Sequence, residues 1–153
     1  MTSKKRVVLI TGAESGIGKS TSKIFLDNGY KVICTYLKNN NNKNTKDIEY
    51  HRIDITKSKD WENLALYIKK KFKKIDVLVN SAGVRLSGNL ETTSMSDWSY
   101  HLNNNVTGTF LACKYILPFL KKAKNSSIIN VASINSIRGC LLYTSDAADE
   151  RSG

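Results

Sequence analysis

The chain is short of the residues that staple, break or anchor a fold. One proline, Pro118, stands among 153 residues, and it is expected to bend a helix near its end. Three cysteines, Cys34, Cys113 and Cys140, fall in no C-x-x-C or Cys/His spacing. Neither a zinc site nor a disulfide framework is suggested, and no metal is expected. His51 and His101 stand alone and read as surface or loop residues rather than ligands. No apolar run is long enough to cross a bilayer, so no membrane partner is expected. The first strand pattern begins within a few residues of Met1, which leaves no room for a targeting peptide, and a cytoplasmic location follows as the expectation.

Acidic residues are also scarce, 13 against 24 lysines and arginines, for a formal charge of +11. Such an excess raises a nucleic-acid partner. The lysines, however, are dispersed or sit late in helical segments, as in Lys69-Lys70-Lys71 and Lys121-Lys122, where they complement the helix dipole. Aromatic residues are not interleaved with them as a stacking platform requires. With fifteen asparagines alongside, the excess reads as A/T-rich coding bias, and no nucleic-acid partner is expected.

What is present begins at Val7. An apolar β-branched run ends at Thr11, and glycines follow at Gly12, Gly16 and Gly18. An amphipathic segment comes next, with Ile17, Thr21, Ile24 and Phe25 on one face, closed by Asn28-Gly29. Strand, glycine turn and helix in that order hold a phosphate: glycines admit an anion close to the backbone, and the amides and dipole of the helix start attract it. The spacing is G-x-x-x-G-x-G rather than the common G-x-G-x-x-G.

Lys31 to Tyr36 reads as a buried second strand, and Leu37 to Lys46 as a solvated Asn/Lys loop. Ile48 to Ile53 is the third strand, followed by Asp54-Ile55-Thr56. Ser58 is expected to cap a helix that turns Trp61, Leu64, Ala65, Ile68 and Phe72 inward. Ile75 to Val79 is the fourth strand and runs into Asn80-Ser81-Ala82-Gly83. Ser96 is expected to start a long helix with an inward stripe of Leu102, Val106, Phe110, Cys113, Leu117 and Leu120. Ser127 to Ala132 is the fifth strand, ending at Ser133. Strands alternating with helices predict an α/β fold, a parallel sheet covered on both faces with right-handed crossovers. Ligands of such sheets sit beyond the carboxyl ends of the strands. Those ends carry the glycine turn, Tyr36, Asp54, Asn80 with Gly83, and Ser133. One crevice is expected to gather them.

Five stretches together resemble the short-chain dehydrogenase/reductases, in their ordinary, non-extended branch. They are Thr11-Gly12-x-x-x-Gly16-x-Gly18, Asp54, Asn80-Ser81-Ala82-Gly83, Asn105-Val106-Thr107-Gly108-Thr109-Phe110, and Ile129-Asn130-Val131-Ala132-Ser133. The second strand and the Asn-Ser-Ala-Gly segment look most like 3-oxoacyl-carrier-protein reductases. The resemblance implies a Rossmann-type doubly wound parallel sheet, incomplete, with about five of seven strands present. It implies that Gly12, Ser15, Gly16, Ile17 and Gly18 hold the adenosine and pyrophosphate part of a nicotinamide cofactor. Asp54 would accept from the adenine amino group, with the backbone of Ile55 beside it. Asn80, Ala82 and Gly83 would line the adenosine ribose and fix the strand end. Asn105 would interrupt the long helix to hold a water in a proton relay. Ser133 would hydrogen-bond the substrate oxygen of a small carbonyl or alcohol and stabilise charge developing there. A homo-oligomer is implied for a full-length parent.

Cofactor choice turns on the end of the second strand, where NAD-preferring relatives place an acid for the ribose 2′-hydroxyl. Here Tyr36 stands at that position, with Lys38 and Lys43 nearby and no acid before Asp47. NADP is therefore expected to be preferred, with NAD possible.

The pattern breaks after Ser133. The family's proton donor is a Tyr-x-x-x-Lys pair, but Tyr143 has Ala147 four residues on. Without a lysine, a tyrosine near its ordinary pKa of about 10 is a poor acid–base group at neutral pH. Moreover, Cys140 to Ser145 back-translates as TGT CTC TTA TAC ACA TCT, and Asp146 to Glu150 fits GAC GCT GCC GAC GA. That resembles the transposon-end adapter of sequencing libraries read as coding sequence. Residues 140–153 are thus expected to be a non-native, adapter-derived tail, and residues 1–139 the N-terminal part of an NAD(P)-binding Rossmann domain. The chain itself is expected to be catalytically inactive. The alternative is a non-enzymatic NAD(P)-binding or redox-sensing module on the same fold, which would need no tyrosine.

Overall fold

Side chains of a strand point alternately to opposite faces, and the first strand is apolar throughout, so it must be covered on both sides. This is the architecture of the computed structural model, which describes residues 5–38 and 43–133. The elements are β1 (Val7–Ile10), α1 (Gly16–Asp27), β2 (Lys31–Tyr36), β3 (Ile48–Arg52), α2 (Ser58–Lys71), β4 (Val77–Asn80), α3 (Met95–Leu102), a π-helical segment (Asn103–Thr107), α4 (Gly108–Leu120) and β5 (Ser127–Asn130). All strand pairs are parallel, in the order β3-β2-β1-β4-β5. Val7 and Leu9 of β1 join Ile33, Leu78, Trp61, Ile68 and Ile116 in a core beneath α2 and α4. Val8 and Ile10 join Val32, Cys34 and Val79 in a second core on the other face, against which Phe25 and Leu26 of α1 pack. The sheet is doubly wound, as expected. Successive strands run outward from β1 to β3, then return to the far side of β1 at β4. That reversal opens a crevice above the carboxyl ends of β1 and β4.

Strand positions match expectation to within a couple of residues, and so does the inward stripe of α2, where Trp61, Leu64, Ile68 and Phe72 are buried; the apolar faces of α1 and the long helix do not. On α1, Ile17 and Ile24 are each 61% exposed, and the buried residues are Gly18 and Ser22. The cause is close approach. A Cβ on Gly18 would lie 2.3 Å from the Gly12 carbonyl oxygen, so only a bare residue lets the helix settle on the turn. Ser22 is tolerated there because its hydroxyl donates to the Lys19 carbonyl at 2.7 Å.

The long helix repeats the lesson. Leu102, Val106, Phe110 and Leu117 are exposed, whereas Gly108, Leu111, Ala112, Ile116 and Phe119 are buried with Leu120. The π-helical segment breaks the 3.6-residue period on which the expected stripe was drawn. The face that meets the rest of the chain is the one with Gly108, where a Cβ would fall 2.7 Å from Ile55 Cδ1. Pro118 lies within the last turn of α4.

Two helix starts also differ. Ser94, not Ser96, caps α3, its Oγ accepting from the Asp97 amide at 3.1 Å. Ser58 is the first residue of α2 rather than its cap; Lys57 stands at the cap without a side-chain hydrogen bond. Nor is His51 a loop residue: it lies on β3, half-buried against Tyr67 with ring centroids 4.5 Å apart. Among the described residues β5 pairs only with β4, and all four of its residues are exposed. No described helix is long and apolar enough to cross a membrane. The expected tail, 140–153, with Tyr143 and Ala147, lies outside the described residues.

Candidate functional site

The crevice is built by tying the turns after β1 and β4 together. Thr11 ends β1 and is buried; its Oγ1 accepts from the amides of Ser81 and Ala82, each at 3.0 Å. Its own amide donates to the Val79 carbonyl at 2.9 Å. Gly12 then takes φ +64°, and a Cβ there would lie 2.8 Å from Ala82 Cα. Any side chain would force the two turns apart. The Ala13 amide donates to the Thr35 carbonyl at 2.9 Å, anchoring the turn on β2 as well.

Beyond this knot the backbone opens. Gly16 has φ +49°, and a Cβ on it would meet nothing within 4 Å. It starts α1, and its N-cap, Ser15, makes no side-chain capping bond. The first turn of α1 carries no acidic residue. The helix therefore presents its first amides and the positive end of its dipole without an internal anion. Above it lies a cleft of about 500 Å³. Its walls are Gly12, Glu14, Ser15, Gly16 and Ile17 from the turn, and Thr35, Tyr36, Leu37 and Lys38 from the end of β2. Ile53 and Ile55 close one side, Ser81 to Val84 the other, and Tyr100 and Asn104 the far end. Bare amides at one point and apolar walls at another suit a ligand with an anionic middle and flat, apolar ends.

Comparison with known proteins agrees. The sequence profile of the short chain dehydrogenases matches residues 6–147. The chain belongs to the short-chain dehydrogenase family. It is 33% identical over 134 residues to the 3-ketodihydrosphingosine reductase of Bacteroides thetaiotaomicron, covering 88% of this chain and 49% of that one. It is 32% identical to the 3-oxoacyl-[acyl-carrier-protein] reductase of Thermotoga maritima, covering 95% of this chain and 62% of the relative. Among solved structures it resembles a short chain dehydrogenase from Leptospira borgpetersenii with bound NAD+, with a TM-score of 0.82 at 26% identity, over 90% of this chain and 55% of that one. It also resembles ElxO with NADP bound, with a TM-score of 0.79 at 32% identity, over 93% and 62%. The chain spans between about half and two-thirds of the length of these relatives.

Within this short-chain dehydrogenase chain, Gly12, Ser15, Gly16, Ile17, Tyr36, Ile55, Ala82 and Gly83 line the cleft. Gly18, Asp54, Asn80, Asn105 and Ser133 do not. Gly18 lies under the turn. Asp54 spends Oδ1 on Thr56, accepting from its amide at 3.0 Å and its hydroxyl at 2.7 Å, in a turn that carries Ile55 to the wall. Burial works against the Asp54 charge, but those bonds and the Lys57 ammonium outweigh it and hold the pKa below the ordinary value. Asn80 is buried in the sheet, its amide donating to Asn130 Oδ1 at 2.8 Å across to β5. It thus ties β4 to β5 at their ends rather than facing the cleft. Asn105 sits inside the π-helical segment, and its side chain bonds Val84 of the cleft wall. His101, in the last turn of α3, supports the same wall by accepting from the Leu86 amide at 2.8 Å. Ser133 is exposed, three residues beyond the end of β5.

One acid went unread in the sequence. No carboxylate follows Tyr36, yet Glu14 reaches the same place from the glycine turn, its Oε1 3.5 Å from the Leu37 amide. It was hidden because it stands at an unspecified position between Gly12 and Gly16. A decoy lies elsewhere. Tyr67 and Lys71 have Tyr-x-x-x-Lys spacing, with Nζ 2.9 Å from the phenol oxygen. Both also bond Glu49, and burial with that carboxylate pushes the Tyr67 pKa up despite Lys71. Tyr67 borders a separate hollow of about 200 Å³, lined also by His51 and Asn63, and not the cleft.

Proposed function

We propose that the protein to which these residues belong transfers hydride between a nicotinamide dinucleotide and the carbon of a small carbonyl or alcohol. The observation that carries this is the uncapped start of α1 at Gly16, opening into a cleft at the switch point between β1 and β4. Gly12, Ser15, Gly16 and Ile17 would bind the pyrophosphate through backbone amides, with Gly18 holding the helix close. Ala82 and Gly83 would flank the adenosine ribose. Ile55 would cover the adenine on the turn shaped by Asp54. Bound there, the cofactor supplies or accepts the hydride. Ser133, at the carboxyl rim beyond β5, would donate to the substrate oxygen and stabilise its developing charge. Asn105 and Asn80 would act as positioning residues for the walls around it.

Lys38 at the cleft, and the absence of an acid at Tyr36, favour NADP over NAD. The substrate class nearest to hand is that of the 3-oxoacyl reductases, on the likeness to that relative. We further read residues 1–139 as the dinucleotide-binding part and 140–153 as foreign to it.

The test is titration of NADPH into the full-length protein, followed by nicotinamide fluorescence, with Gly16→Val beside the wild type. A side chain at φ +49° would both strain the turn and fill the approach to the amides. Affinity is expected to fall by at least about tenfold, as for loss of one or two charge-assisted hydrogen bonds. Equal affinity in a variant that melts like the wild type would remove the reading.

A further inference from the structure

Two side chains one helical turn apart hold the backbone of Val84–Leu86. Asn105 bonds Val84 twice, its Oδ1 accepting from the amide and its Nδ2 donating to the carbonyl, so its orientation is fixed. His101 takes the far end: its Nε2 accepts from the Leu86 amide at 2.8 Å. A backbone amide can only donate, so Nε2 must be bare, and the neutral ring carries its one proton on Nδ1. Nδ1 lies 3.5 Å from Asn105 Nδ2, a donor already committed to Val84, so that contact offers it no acceptor. Between the two grips the chain has no slack, and Val84 faces the cleft beside Gly83. The charged residues of the elements that meet at the ring are Arg85, Glu91 in the loop that follows, and Asp97 one turn earlier on α3. Asp97 Oδ2 accepts from Ser94 Oγ.

We propose that His101 is a positioning residue that holds the cleft wall at Val84–Leu86 only while its Nε2 is unprotonated, and that a second proton on the ring frees Leu86 and loosens the wall beside the dinucleotide. The proposal rests on the dinucleotide reading above. A proton on Nε2 would set donor against donor at 2.8 Å, so protonation and the Leu86 bond exclude each other. Asn105 then holds Val84 alone, and a wall fastened at two points becomes one fastened at one. Imidazole is the side chain whose charge ordinarily changes between about pH 5 and 8, so this loosening falls within the range in which the protein can be assayed. A glutamine at the same place would offer a carbonyl oxygen that accepts the Leu86 amide and takes no proton in that range.

The experiment measures NADH affinity of the full-length protein by fluorescence titration at pH about 8 and about 5.5, in wild type, His101→Gln and His101→Leu. NADH is the probe because it has no 2′-phosphate to titrate alongside the imidazole. Acidification is expected to weaken wild-type binding by roughly fivefold more than it weakens His101→Gln, as for loss of one neutral hydrogen bond. At the higher pH His101→Leu should bind more weakly than wild type, and His101→Gln should recover most of that loss. A second measurement needs no stable variant: nitrogen NMR of the histidine-labelled protein should show the His101 ring with its proton on Nδ1 at pH about 8, against the Nε2 form common in free imidazole side chains. The same acid response in wild type and His101→Gln, or a proton on Nε2 at the higher pH, overturns the role of His101 and leaves the dinucleotide reading standing. Failure of the wild type to bind NADH at the higher pH overturns that reading and this one together.

Discussion

Asn105 grips Val84 from both sides: its Oδ1 accepts from the Val84 amide at 2.8 Å, and its Nδ2 donates to the Val84 carbonyl at 3.0 Å. A side chain on a helix thereby substitutes for a strand partner and fixes the wall that follows Gly83. A Cβ on Gly83 would come 3.1 Å from the same Oδ1, so the grip is close. Asn105→Ala is expected to cost about 1–2 kcal/mol in denaturant unfolding, with Asn105→Asp between it and wild type. Dinucleotide affinity should fall with it. An Asn105→Ala protein as stable as wild type would show that the loop holds itself.

Three glycines of one turn should respond differently to the same added methyl group. Gly18→Ala places a Cβ 2.3 Å from a backbone oxygen, and is expected to cost about 2 kcal/mol or more. Gly16→Ala meets no atom and pays only for its positive φ, about 1 kcal/mol. Gly12→Ala combines strain with contact on Ala82. Thermal or urea unfolding of the three variants gives the order directly, and a Gly16→Ala variant less stable than Gly18→Ala would contradict it.

Cys34 is fully buried on β2, and burial pushes its thiol up to about 12, a hydrogen bond with Ser22 partly offsetting. It should resist iodoacetamide at pH about 8 while Cys113, half-buried on α4, reacts faster. Mass-spectrometric mapping with and without denaturant checks this. Rapid native labelling of Cys34 would mean that β2 opens.

Burial disfavours the Glu49 carboxylate, yet hydrogen bonds from Lys71 and Tyr67, and the charges of Lys71 and His51, hold its pKa below the ordinary 4.5. A carboxyl lowered on folding contributes stability above its unfolded pKa and loses it as pH falls through the lower folded value. The Lys71 pKa is raised, chiefly by the bond to Glu49, so that contribution fades only as pH rises through the lysine range. Glu49→Gln should therefore cost about 1–2 kcal/mol at neutral pH and progressively less in acid. Parallel urea titrations from neutral pH into the carboxylate range measure it. A constant difference across that range would exclude the ion pair as the source.

The chain of 153 residues should show no carbonyl reduction with NADPH or NADH, because no lysine stands four residues after Tyr143. It should also self-associate, since Ile128 and Ile129 on β5 are 42% and 45% exposed, on a strand edge left open among the described residues. Spectrophotometric assay and light scattering test the two separately. Turnover at a rate comparable to whole relatives would refute the first, and a monomer at all concentrations the second.

Much of this protein could be read from order and period alone. Five strand-like runs separated by helical stretches leave few arrangements other than a parallel sheet, and a run such as Val7–Ile10, apolar on both faces, must be buried on both. The glycine turn was legible for the same reason: close approach to backbone or anion tolerates no Cβ, and the residue type records that. The inward face of α2, with Trp61, Leu64, Ile68 and Phe72, was legible as well, but the buried faces of α1 and of the long helix were not. Ile17, Ile24, Val106 and Phe110 are large and apolar yet exposed, while Gly18, Ser22, Gly108 and Ala112 lie inside. Hydrophobic period reports which residues avoid water, but the distance between helix and sheet selects the small ones, and that distance exists only in three dimensions. The placements of Glu14 and Asp54 were not legible for a similar reason. Local sequence put an acid after β3 and none after β2; the folded turn brings Glu14 to the end of β2 and commits Asp54 to Thr56. Which carboxylate meets the cleft is decided by how the turns are packed around Thr11 and Gly12, and no spacing along the chain carries that information.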